Sequence, residues 1–217
     1  MQSGGNDITV IVRCKNEERY VGYALQSVND ILPKAKILVL DNESSDDSLD
    51  VVNSFRGRCD IRIETVVDYL PGKALNRGVE LATTDFIILL SAHCLIREFD
   101  ATQAGACVTA HGAAFGKQIP VWRGKKITPR YIWSHFGDDR VENMHSPIEG
   151  RPFFHNAFSL FARNSLLTHG FDEEVPGKED RFWASRWIES GRKYVYLPSM
   201  VCEHHYTVNG ATWKGVG

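Results

Sequence analysis

Residues 37–48 read Ile37-Leu38-Val39-Leu40-Asp41-Asn42-Glu43-Ser44-Ser45-Asp46-Asp47-Ser48, an apolar run that passes directly into an acidic, hydroxyl-rich one. A short apolar run bounded by polar residues is typical of a buried strand. Open α/β sheets bind ligands beyond the carboxyl ends of such strands, so the pattern is typical of a nucleotide site. Asp, Asn and Ser are also the usual caps of a following helix, here expected at 47–55. The acidic run by itself leaves both interpretations open.

Strands and helices alternate along the amino-terminal half of the chain. Apolar and β-branched runs predict strands at 8–12, 36–40, 61–66 and 85–90. Apolar residues at helical spacing predict helices at 18–28, 47–55 and 72–82. This alternation predicts an α/β fold with a doubly wound, mostly parallel sheet.

The pattern loosens from residue 97 onward. Residues 116–151 are rich in Gly, Pro, His and Trp, and so long an irregular stretch is expected to be functional or mobile. A strand is expected at 153–162, a helix at 179–190, and a strand at 194–202 that Pro198 interrupts. We expect one domain in two halves.

Composition narrows the class of ligand. The chain has 217 residues, 43% of them hydrophobic, which suffices for one domain with a sizeable core. A net charge of -2 without a long basic block argues against nucleic acid and against a polybasic membrane patch, and favours small molecules. Residues 1–7 lack the regions of a signal peptide, and no apolar stretch approaches the ~20 residues of a membrane span. These features predict a cytosolic protein.

The cysteine pattern favours a reducing compartment. There are five cysteines without CxxC spacing, so neither a disulfide framework nor a zinc knuckle is predicted.

Residues 13–18, after the first predicted strand, read Arg13-Cys14-Lys15-Asn16-Glu17-Glu18 instead of the Gly-x-Gly-x-x-Gly of a dinucleotide-binding fold. The phosphate-binding Gly-x-x-x-x-Gly-Lys-Ser/Thr loop is also absent from the sequence.

Motifs along almost the whole amino-terminal half resemble those of GT-A glycosyltransferases of family 2, in the family's order. They are the first strand with its Asn-Glu turn at 8–18, the acidic patch at 41–46, the helix beginning Gly72-Lys73-Ala74-Leu75-Asn76, and the strand at 85–90 followed by Ser91-Ala92-His93. The resemblance implies a GT-A fold, a Rossmann-like sheet in a single domain. Residues 1–95 would bind the nucleotide sugar, and residues 96–217 would bind the acceptor and carry the chemistry.

The resemblance also implies which residues bind the nucleotide sugar. They are Arg13, Asn16, Glu17, Asp41, Asn42, Ser44, Lys73, Asn76, Ser91, Ala92 and His93. Asp41 or Asn42, at a strand tip, can hydrogen-bond the edge of a pyrimidine. Lys73 or Arg13 can neutralise a diphosphate, although a solvated helix residue is the alternative for Lys73.

Ser91-Ala92-His93 stands where family members have Asp-x-Asp, whose carboxylates hold a divalent metal. A metal is therefore a hypothesis here, with manganese favoured over magnesium because imidazole suits the former. Another GT-A group, the polypeptide N-acetylgalactosaminyltransferases, has a similar Asp-x-His completed by a distant histidine. That likeness implies His205 as the preferred second ligand and His204 as the alternative. In the competing hypothesis, His93 hydrogen-bonds the diphosphate without a metal.

Residues 176–183 resemble the family's Glu-Asp motif at the start of a helix. The resemblance implies Asp180 as the general base of an inverting transfer, beside Glu179, which could equally be a helix cap. The implied reaction moves a sugar from a nucleotide diphosphate, foremost UDP, to a glycan or lipid-linked saccharide. A lipid-linked acceptor would bring the protein to the inner face of the membrane. The alternatives are a non-catalytic nucleotide-sugar or glycan-binding module and, ranked last, a nucleotidyltransferase.

Aromatic residues cluster in the second half, and one or two of them are expected to form a platform for the acceptor sugar. The candidates are Trp122, Trp133, Phe153, Phe154, Phe182, Trp183, Trp187 and Trp213. Most of these are expected in the core, and Trp183 and Trp187 share a helix face, which favours packing. His155 and Asn156 are candidates for the donor-sugar pocket, with a structural role as the alternative for His155.

Overall fold

The structure is a computed structural model that describes residues 8–122, 125–126, 131–208 and 210–214. The signal-peptide prediction rests on residues 1–7 and lies outside the described residues. The strands are β1 (Ile8–Cys14), β2 (Lys36–Asp41), β3 (Asp60–Thr65), β4 (Phe86–Ser91), β5 (Cys94–Glu98), β6 (Ala113–Trp122), β7 (Lys125–Lys126), β8 (Val141–Glu142), β9 (His145–Ser146), β10 (Arg151–Pro152), β11 (Phe158–Ala162) and β12 (Val195–His205). The helices are α1 (Val21–Ile31), α2 (Ser48–Asn53), α3 (Pro71–Leu81), α4 (Ala101–His111), α5 (Arg163–Thr168), α6 (Glu179–Glu189) and α7 (Ala211–Lys214), with a 3-10 turn at Trp133–His135.

The central sheet has ten strands in the order β3-β2-β1-β4-β11-β6-β12-β5, with β7 beside β6 and β8 beside β12. The first four strands of that order run parallel to one another. β11 runs antiparallel between β4 and β6, while β6 and β12 pair in parallel. The antiparallel insertion of β11 joins the first half of the chain to the second half in one sheet.

Helices cover both faces of this sheet. On one face, α1, α2 and α4 pack against residues such as Val10 and Leu90. On the other face, α3, α5 and α6 pack against residues such as Ile11 and Leu89. Because both faces are covered, adjacent residues are buried over most of β1 and β4, which explains their continuous apolar sequences. The predicted α/β class, with a doubly wound and mostly parallel sheet, is confirmed.

The loosened pattern after residue 97 conceals two regular elements, so the prediction of an irregular stretch from residue 116 is wrong over β6. Helix α4 buries only Ala104 and Val108, so its sequence carries little helical periodicity. The two ends of α4 carry ordinary sequence signals. Asp100 is the N-cap and accepts hydrogen bonds from Thr102 N and Gln103 N, and Gly112 ends the helix at φ 86°. Strand β6 contains Gly, Gln and Pro and is buried on both of its faces over most of its length, so it shows no alternation.

Two predicted strands differ from the observed ones. The strand expected at 153–162 is regular only as β11, and residues 153–157 form a loop at the end of the sheet. Strand β12 is longer than expected and reaches His205. The interruption expected at Pro198 is confirmed, since the register with β6 shifts between Leu197 and Val201. The extra length carries two histidines to the carboxyl end of β4.

Within the residues that the structure describes, none of the helices combines the length and the hydropathy that crossing a bilayer requires.

Candidate active site

A cleft with a volume of about 920 Å³ lies at the carboxyl ends of β1, β2 and β4. This is the edge at which open α/β sheets bind ligands, and the volume is in the range of small-molecule sites. The first half of the chain contributes Arg13, Lys15, Glu17, Asn42, Ser91 and His93 to its lining. The second half contributes His155, Asn156, Glu179, Asp180, Arg181 and Trp213. Both halves therefore face one cavity.

The turn after β1 and the acidic patch after β2 are tied together by side chain to backbone hydrogen bonds. Asn16 Oδ1 accepts from Ser45 N at 2.7 Å, and Ser44 Oγ accepts from Asn16 N at 3.0 Å. Ser48 Oγ accepts from Glu17 N at 2.7 Å. Asn16 has φ 51°, which Asn tolerates better than most residues. The structure thus uses Asn16 and Ser44 to join two loops, and neither side chain is part of the cleft lining.

The two residues at the tip of β2 take different positions. Asp41 is 1% exposed, and its carboxylate accepts from Ser44 N at 3.2 Å. Asn42 lines the cleft. Of the two side chains expected at the nucleobase, Asn42 is the one at the cavity, while Asp41 shapes the loop beneath it.

Lys73 and Asn76 are not brought to the cleft. Lys73 lies in a separate shallow pocket of about 400 Å³ with Glu64 and Glu173. The amide of Asn76 exchanges two hydrogen bonds with the backbone of Phe171, at 2.9 and 2.8 Å. Neither side chain lines the cleft, because α3 turns this face toward the loop that precedes α6, and the donor contacts of these two residues stay a prediction. Among the residues whose side chains the structure describes, Arg13, Lys15, Lys178 and Arg181 are the Lys and Arg residues that line the cleft.

Arg13 holds the first carboxylate of the Glu-Asp pair. Its Nη1 donates to Glu179 Oε1 at 2.8 Å and its Nη2 to Asn156 Oδ1 at 2.9 Å. Asn156 Nδ2 also donates to Glu179 Oε1, at 2.9 Å. Burial alone would raise the pKa of Glu179, but the Arg13 charge and these hydrogen bonds outweigh burial and hold it below its ordinary value. Glu179 is therefore kept ionised.

Asp180 has the opposite electrostatic environment. Its Oδ1 accepts from Arg181 N at 2.8 Å, and its Oδ2 from Arg181 Nη1 at 2.9 Å and Asn156 N at 3.2 Å. Burial, helped by the negative charge of Glu179 and opposed by Arg181, raises the pKa of Asp180 above its ordinary value. Two adjacent carboxyl groups whose pKa values are pushed apart are typical of acid–base sites.

The start of α6 directs both carboxylates into the cleft. Lys178 is the N-cap residue, in the left-handed conformation with φ 59°, and makes no side-chain capping hydrogen bond. Glu179 and Asp180 occupy the first turn, where the helix dipole favours negative charge. Because the carboxylate of Glu179 is paired with Arg13, capping does not account for its position.

Two histidines meet at the end of β4. His93 Nε2 lies 3.1 Å from His204 Nε2. His205, the preferred partner of His93 in the sequence analysis, instead packs its ring 5.2 Å from that of Tyr20 and points Nε2 toward Glu203. The structure therefore brings His204 and not His205 to His93 Nε2, because adjacent residues of a strand point to opposite faces, and the register pairs His204 with Cys94.

The hydrogen-bond partners of these rings suit a shared cation. His93 Nδ1 lies 3.0 Å from Glu17 Oε1, and His204 Nδ1 lies 2.8 Å from Gln118 Oε1, so both Nδ1 atoms donate. Burial, with smaller contributions from neighbouring histidines, holds the pKa of His204 well below its ordinary value. A neutral ring that donates from Nδ1 carries a lone pair on Nε2.

The separation of the two Nε2 atoms also fits a metal ion. Nitrogens about 2.0–2.1 Å from one ion stand about 3 Å apart in neighbouring coordination positions. The donor atoms of His93, His204 and Cys94 all lie within 4.8 Å of one another. Histidine ligands commonly donate their other ring N–H to a carboxylate or carbonyl, as both rings do here. In the Ser91-Ala92-His93 segment, Ser91 and His93 line the cleft, whereas Ala92 is fully buried.

The aromatic residues divide between core and cleft. Trp183 and Trp187 are buried and stack with their ring centroids 5.0 Å apart, as their spacing predicts. Trp122 is 42% exposed at the cleft, and Trp213 lines it beside Trp133. Phe153 and Phe154 are fully buried, and Phe182 is exposed without lining the cleft.

Several cleft residues in the second half are not among those predicted from the sequence. Glu149 accepts hydrogen bonds from Tyr131 Oη at 2.6 Å, Arg151 Nε at 3.1 Å and Arg181 Nη2 at 3.4 Å. Glu149 and Tyr131 lie in the irregular stretch, where no periodic pattern marks them. Arg181 directly follows the Glu-Asp motif, which was a usable signal.

Comparisons with known proteins agree with this geometry. The family model described as Glycosyl transferase family 2 matches residues 9–168. A Methanococcus voltae protein, dolichyl N-acetyl-alpha-D-glucosaminyl phosphate 3-beta-D-2,3-diacetamido-2,3-dideoxy-beta-D-glucuronosyltransferase, is 33% identical over 94 residues, which are 41% of this chain and 29% of that protein. The O-antigen chain rhamnosyltransferase WbaN of Salmonella anatum is 21% identical over 184 residues, 80% of this chain and 58% of that protein.

Solved structures share the fold. Residues 1–349 of S. aureus TarS, in complex with UDP-GlcNAc, align with a TM-score of 0.71 at 18% identity, covering 97% of this chain and 61% of that one. The mannosyltransferase PcManGT of Pyrobaculum calidifontis, in complex with GDP-Man and Mn²⁺, aligns with a TM-score of 0.71 at 19% identity, covering 96% and 59%. The chain thus spans less than two thirds of each of these relatives.

Proposed function

Because this chain belongs to glycosyltransferase family 2, we propose that it transfers a sugar, with inversion, from a nucleoside diphosphate to a hydroxyl of a saccharide. The observation that carries the proposal is the Glu179–Asp180 pair, whose pKa values diverge at the wall of a cleft built on the nucleotide edge of the sheet. The donor would be a UDP-sugar, bound chiefly by residues 1–95. Residues 96–217 would bind the acceptor and supply the base.

At the donor end, Asn42 reads the nucleobase through its amide, since it lines the cleft at the tip of β2. Lys15 and Lys178 line the same cleft, and their charges attract the diphosphate, although Lys15 Nζ also donates to the backbone oxygen of Glu43 at 2.6 Å. Arg13 is also at the cleft, but its guanidinium is paired with Glu179 at 2.8 Å. We therefore assign Arg13 to the positioning of the carboxylates instead of to the diphosphate.

In the transfer step, an oxygen of Asp180 accepts the proton of the acceptor hydroxyl as that hydroxyl attacks the anomeric carbon. The bond from the anomeric carbon to the diphosphate breaks on the opposite side, and the nucleoside diphosphate leaves. A raised pKa makes Asp180 a stronger base than an ordinary Asp, and ionised Glu179 sustains that raised value.

His93 and His204 would hold a divalent metal, with manganese favoured over magnesium because both ligands are imidazoles. Bound there, the metal would stabilise the negative charge of the leaving diphosphate. In the competing hypothesis, His93, whose Nδ1 lies 3.0 Å from Glu17 Oε1, hydrogen-bonds the diphosphate directly without a metal.

The acceptor would be a glycan or a lipid-linked saccharide. Trp122 and Trp213 support this, because aromatic rings that line the cleft can stack on sugar C–H faces. The names of the two curated relatives refer to a dolichyl-phosphate-linked sugar and to O-antigen chain, which supports a role in polysaccharide biosynthesis. A lipid-linked acceptor would bring the protein to a membrane surface.

A direct test measures UDP release from UDP-sugars in the presence of saccharide acceptors. Asp180→Asn should lower kcat by about 10²–10⁴-fold while nucleotide binding is retained. Asp139→Asn, at an exposed position away from the cleft, is the matched control and should leave kcat unchanged.

The second candidate function is a non-catalytic nucleotide-sugar or glycan-binding module, which the loss of Asp-x-Asp favours. If wild-type protein binds UDP-sugar without transfer or donor hydrolysis, and Asp180→Asn changes nothing, the enzyme proposal is refuted and the binding module remains.

A further inference from the structure

Two buried side chains, Gln118 and His155, connect the pair formed by His93 and His204 to the opposite wall of the cleft. Gln118, on β6, is 2% exposed, and its amide lies between His204 and His155. Its Oε1 is 2.8 Å from His204 Nδ1, and its Nε2 is 2.9 Å from His155 Nδ1. An amide has one accepting and one donating end, so its orientation dictates where each ring carries its proton.

A backbone group decides that orientation. The N–H of Ala157 donates to His155 Nδ1 at 3.3 Å. That nitrogen must therefore carry a lone pair, and the neighbouring end of Gln118 must be the NH2 group. If the amide were reversed, His155 Nδ1 would need a proton to donate to the Gln118 oxygen, and that proton would oppose the Ala157 N–H.

The consequences extend to both histidines. With its oxygen facing His204, Gln118 keeps the proton of that ring on Nδ1 and the lone pair on Nε2, 3.1 Å from His93 Nε2. With its NH2 facing His155, it leaves the proton of that ring on Nε2. That N–H lies at the cleft wall, 3.3 Å from Thr212 Oγ1.

We propose that Gln118 is a positioning residue that sets opposite tautomers on two histidines, making His204 a ligand for a cation and His155 a hydrogen-bond donor to an oxygen of the bound donor substrate. This deepens the proposed function, on which the identity of the bound substrate rests. Gln118 itself does not line the cleft. Its effect is therefore exerted only through the two rings.

The first test needs neither metal nor substrate. In ¹⁵N-labelled wild-type protein, long-range ¹H–¹⁵N spectra distinguish protonated from unprotonated ring nitrogens, with each histidine assigned by a single substitution. We expect the proton of His204 on Nδ1 and that of His155 on Nε2. The opposite tautomer on either ring would overturn the proposal.

Two substitutions separate the two effects. Gln118→Met has a similar shape but neither polar end, so both tautomers should become mixed and the Kd for Mn²⁺ should rise about 10–100-fold. In Gln118→Glu the new carboxylate still accepts from His204 Nδ1, so Mn²⁺ binding should be kept, while the proton of His155 moves to Nδ1. Mn²⁺ binding is followed by electron paramagnetic resonance and folding by circular dichroism.

The control is Gln103→Glu, the same chemical change on the surface of α4, where the Gln103 amide accepts from Ser199 Oγ at 2.8 Å. It should change neither tautomer. Unchanged tautomers and Mn²⁺ affinity in Gln118→Met would refute the positioning role even in a protein that turns over UDP-sugar. Conversely, if the tautomers respond as expected but no acceptor is glycosylated, the proposed reaction fails and the positioning role stands. Wild-type protein that binds no Mn²⁺ would refute the metal-ligand half of the proposal.

Discussion

At the scale of single residues, the Arg13–Glu179 contact shows that two residues predicted separately as site residues are partners of each other. The sequence presents Arg13 as a cation beside a nucleotide site, and it presents Glu179 as either part of the reaction or a cap. The 2.8 Å ion pair between them shows that each depends on the other. The buried charge of Glu179 would be costly without its partner.

Arg13 also influences the pH dependence of the proposed reaction. Its charge lowers the pKa of both Glu179 and Asp180. A base must be ionised to act, so activity should fall as the pH falls through the pKa of Asp180. Arg13→Met should therefore shift the acid limb of the kcat/KM profile to higher pH.

Arg13→Lys keeps the charge and should restore the wild-type limb in large part. Arg62→Met, at an exposed position on β3, is the control for loss of an arginine. An acid limb in Arg13→Met that coincides with that of wild type would contradict the electrostatic role.

The two adjacent histidines of β12 offer an internal comparison. His204→Ala removes the ring that lies 3.1 Å from His93, so Mn²⁺ affinity should fall at least about tenfold. His205→Ala removes a ring on the opposite face of the strand and should leave that affinity unchanged. Calorimetric titration with Mn²⁺ measures both, and a larger loss in His205→Ala would contradict the assignment.

At the scale of elements, the junction of α3 with the loop before α6 sets the second wall of the cleft. Asn76 is hydrogen-bonded to the backbone of Phe171, and Gly72 lies against Asp172. This junction explains why a helix that resembles a nucleotide-binding motif contributes no side chain from Lys73 or Asn76 to the cleft. Its role is to hold the chain that leads into the Glu-Asp motif.

Gly72→Ala tests that junction. A Cβ at this position would stand 1.9 Å from the backbone oxygen of Asp172, so the loop must move. We expect a loss of about 1–3 kcal/mol in the free energy of unfolding, measured with urea. Gly57→Ala, which meets nothing within 4 Å, should stay within about 0.5 kcal/mol of wild type. Equal stability of the two variants would show that the loop adapts freely.

At the scale of the whole molecule, ligand binding should be visible as stabilisation. A ligand that binds only the folded state raises the free energy of unfolding by about 2.7 kcal/mol at a concentration of 100 Kd. In a thermal-shift screen with Mn²⁺ present, UDP should therefore raise Tm more than GDP. His204→Ala should lose much of the shift if a metal links the histidines to the diphosphate. A larger shift with GDP would refute the proposed nucleobase.

The sequence is sufficient to predict the class of fold, the order of the elements in the first half and the motifs that meet at the sheet edge. These features depend on local patterns, because strand hydrophobicity, helix periodicity and motif spacing are all read from neighbouring residues. Helix α4 and strand β6 were not predicted. Their burial depends on residues far away in the chain and produces no periodic pattern in their own sequences.

The set of polar side chains that share the cleft depends on contacts that form when the chain folds. The tertiary structure brings Asn42 and not Asp41, and Arg13 and not Lys73, to the cleft. It brings His204 and not His205 to His93. It also places Gln118 between two histidines. These choices depend on strand register and on contacts between residues far apart in the chain. A shift of one residue in register turns a side chain to the other face, and the sequence of one strand does not record its partner's register.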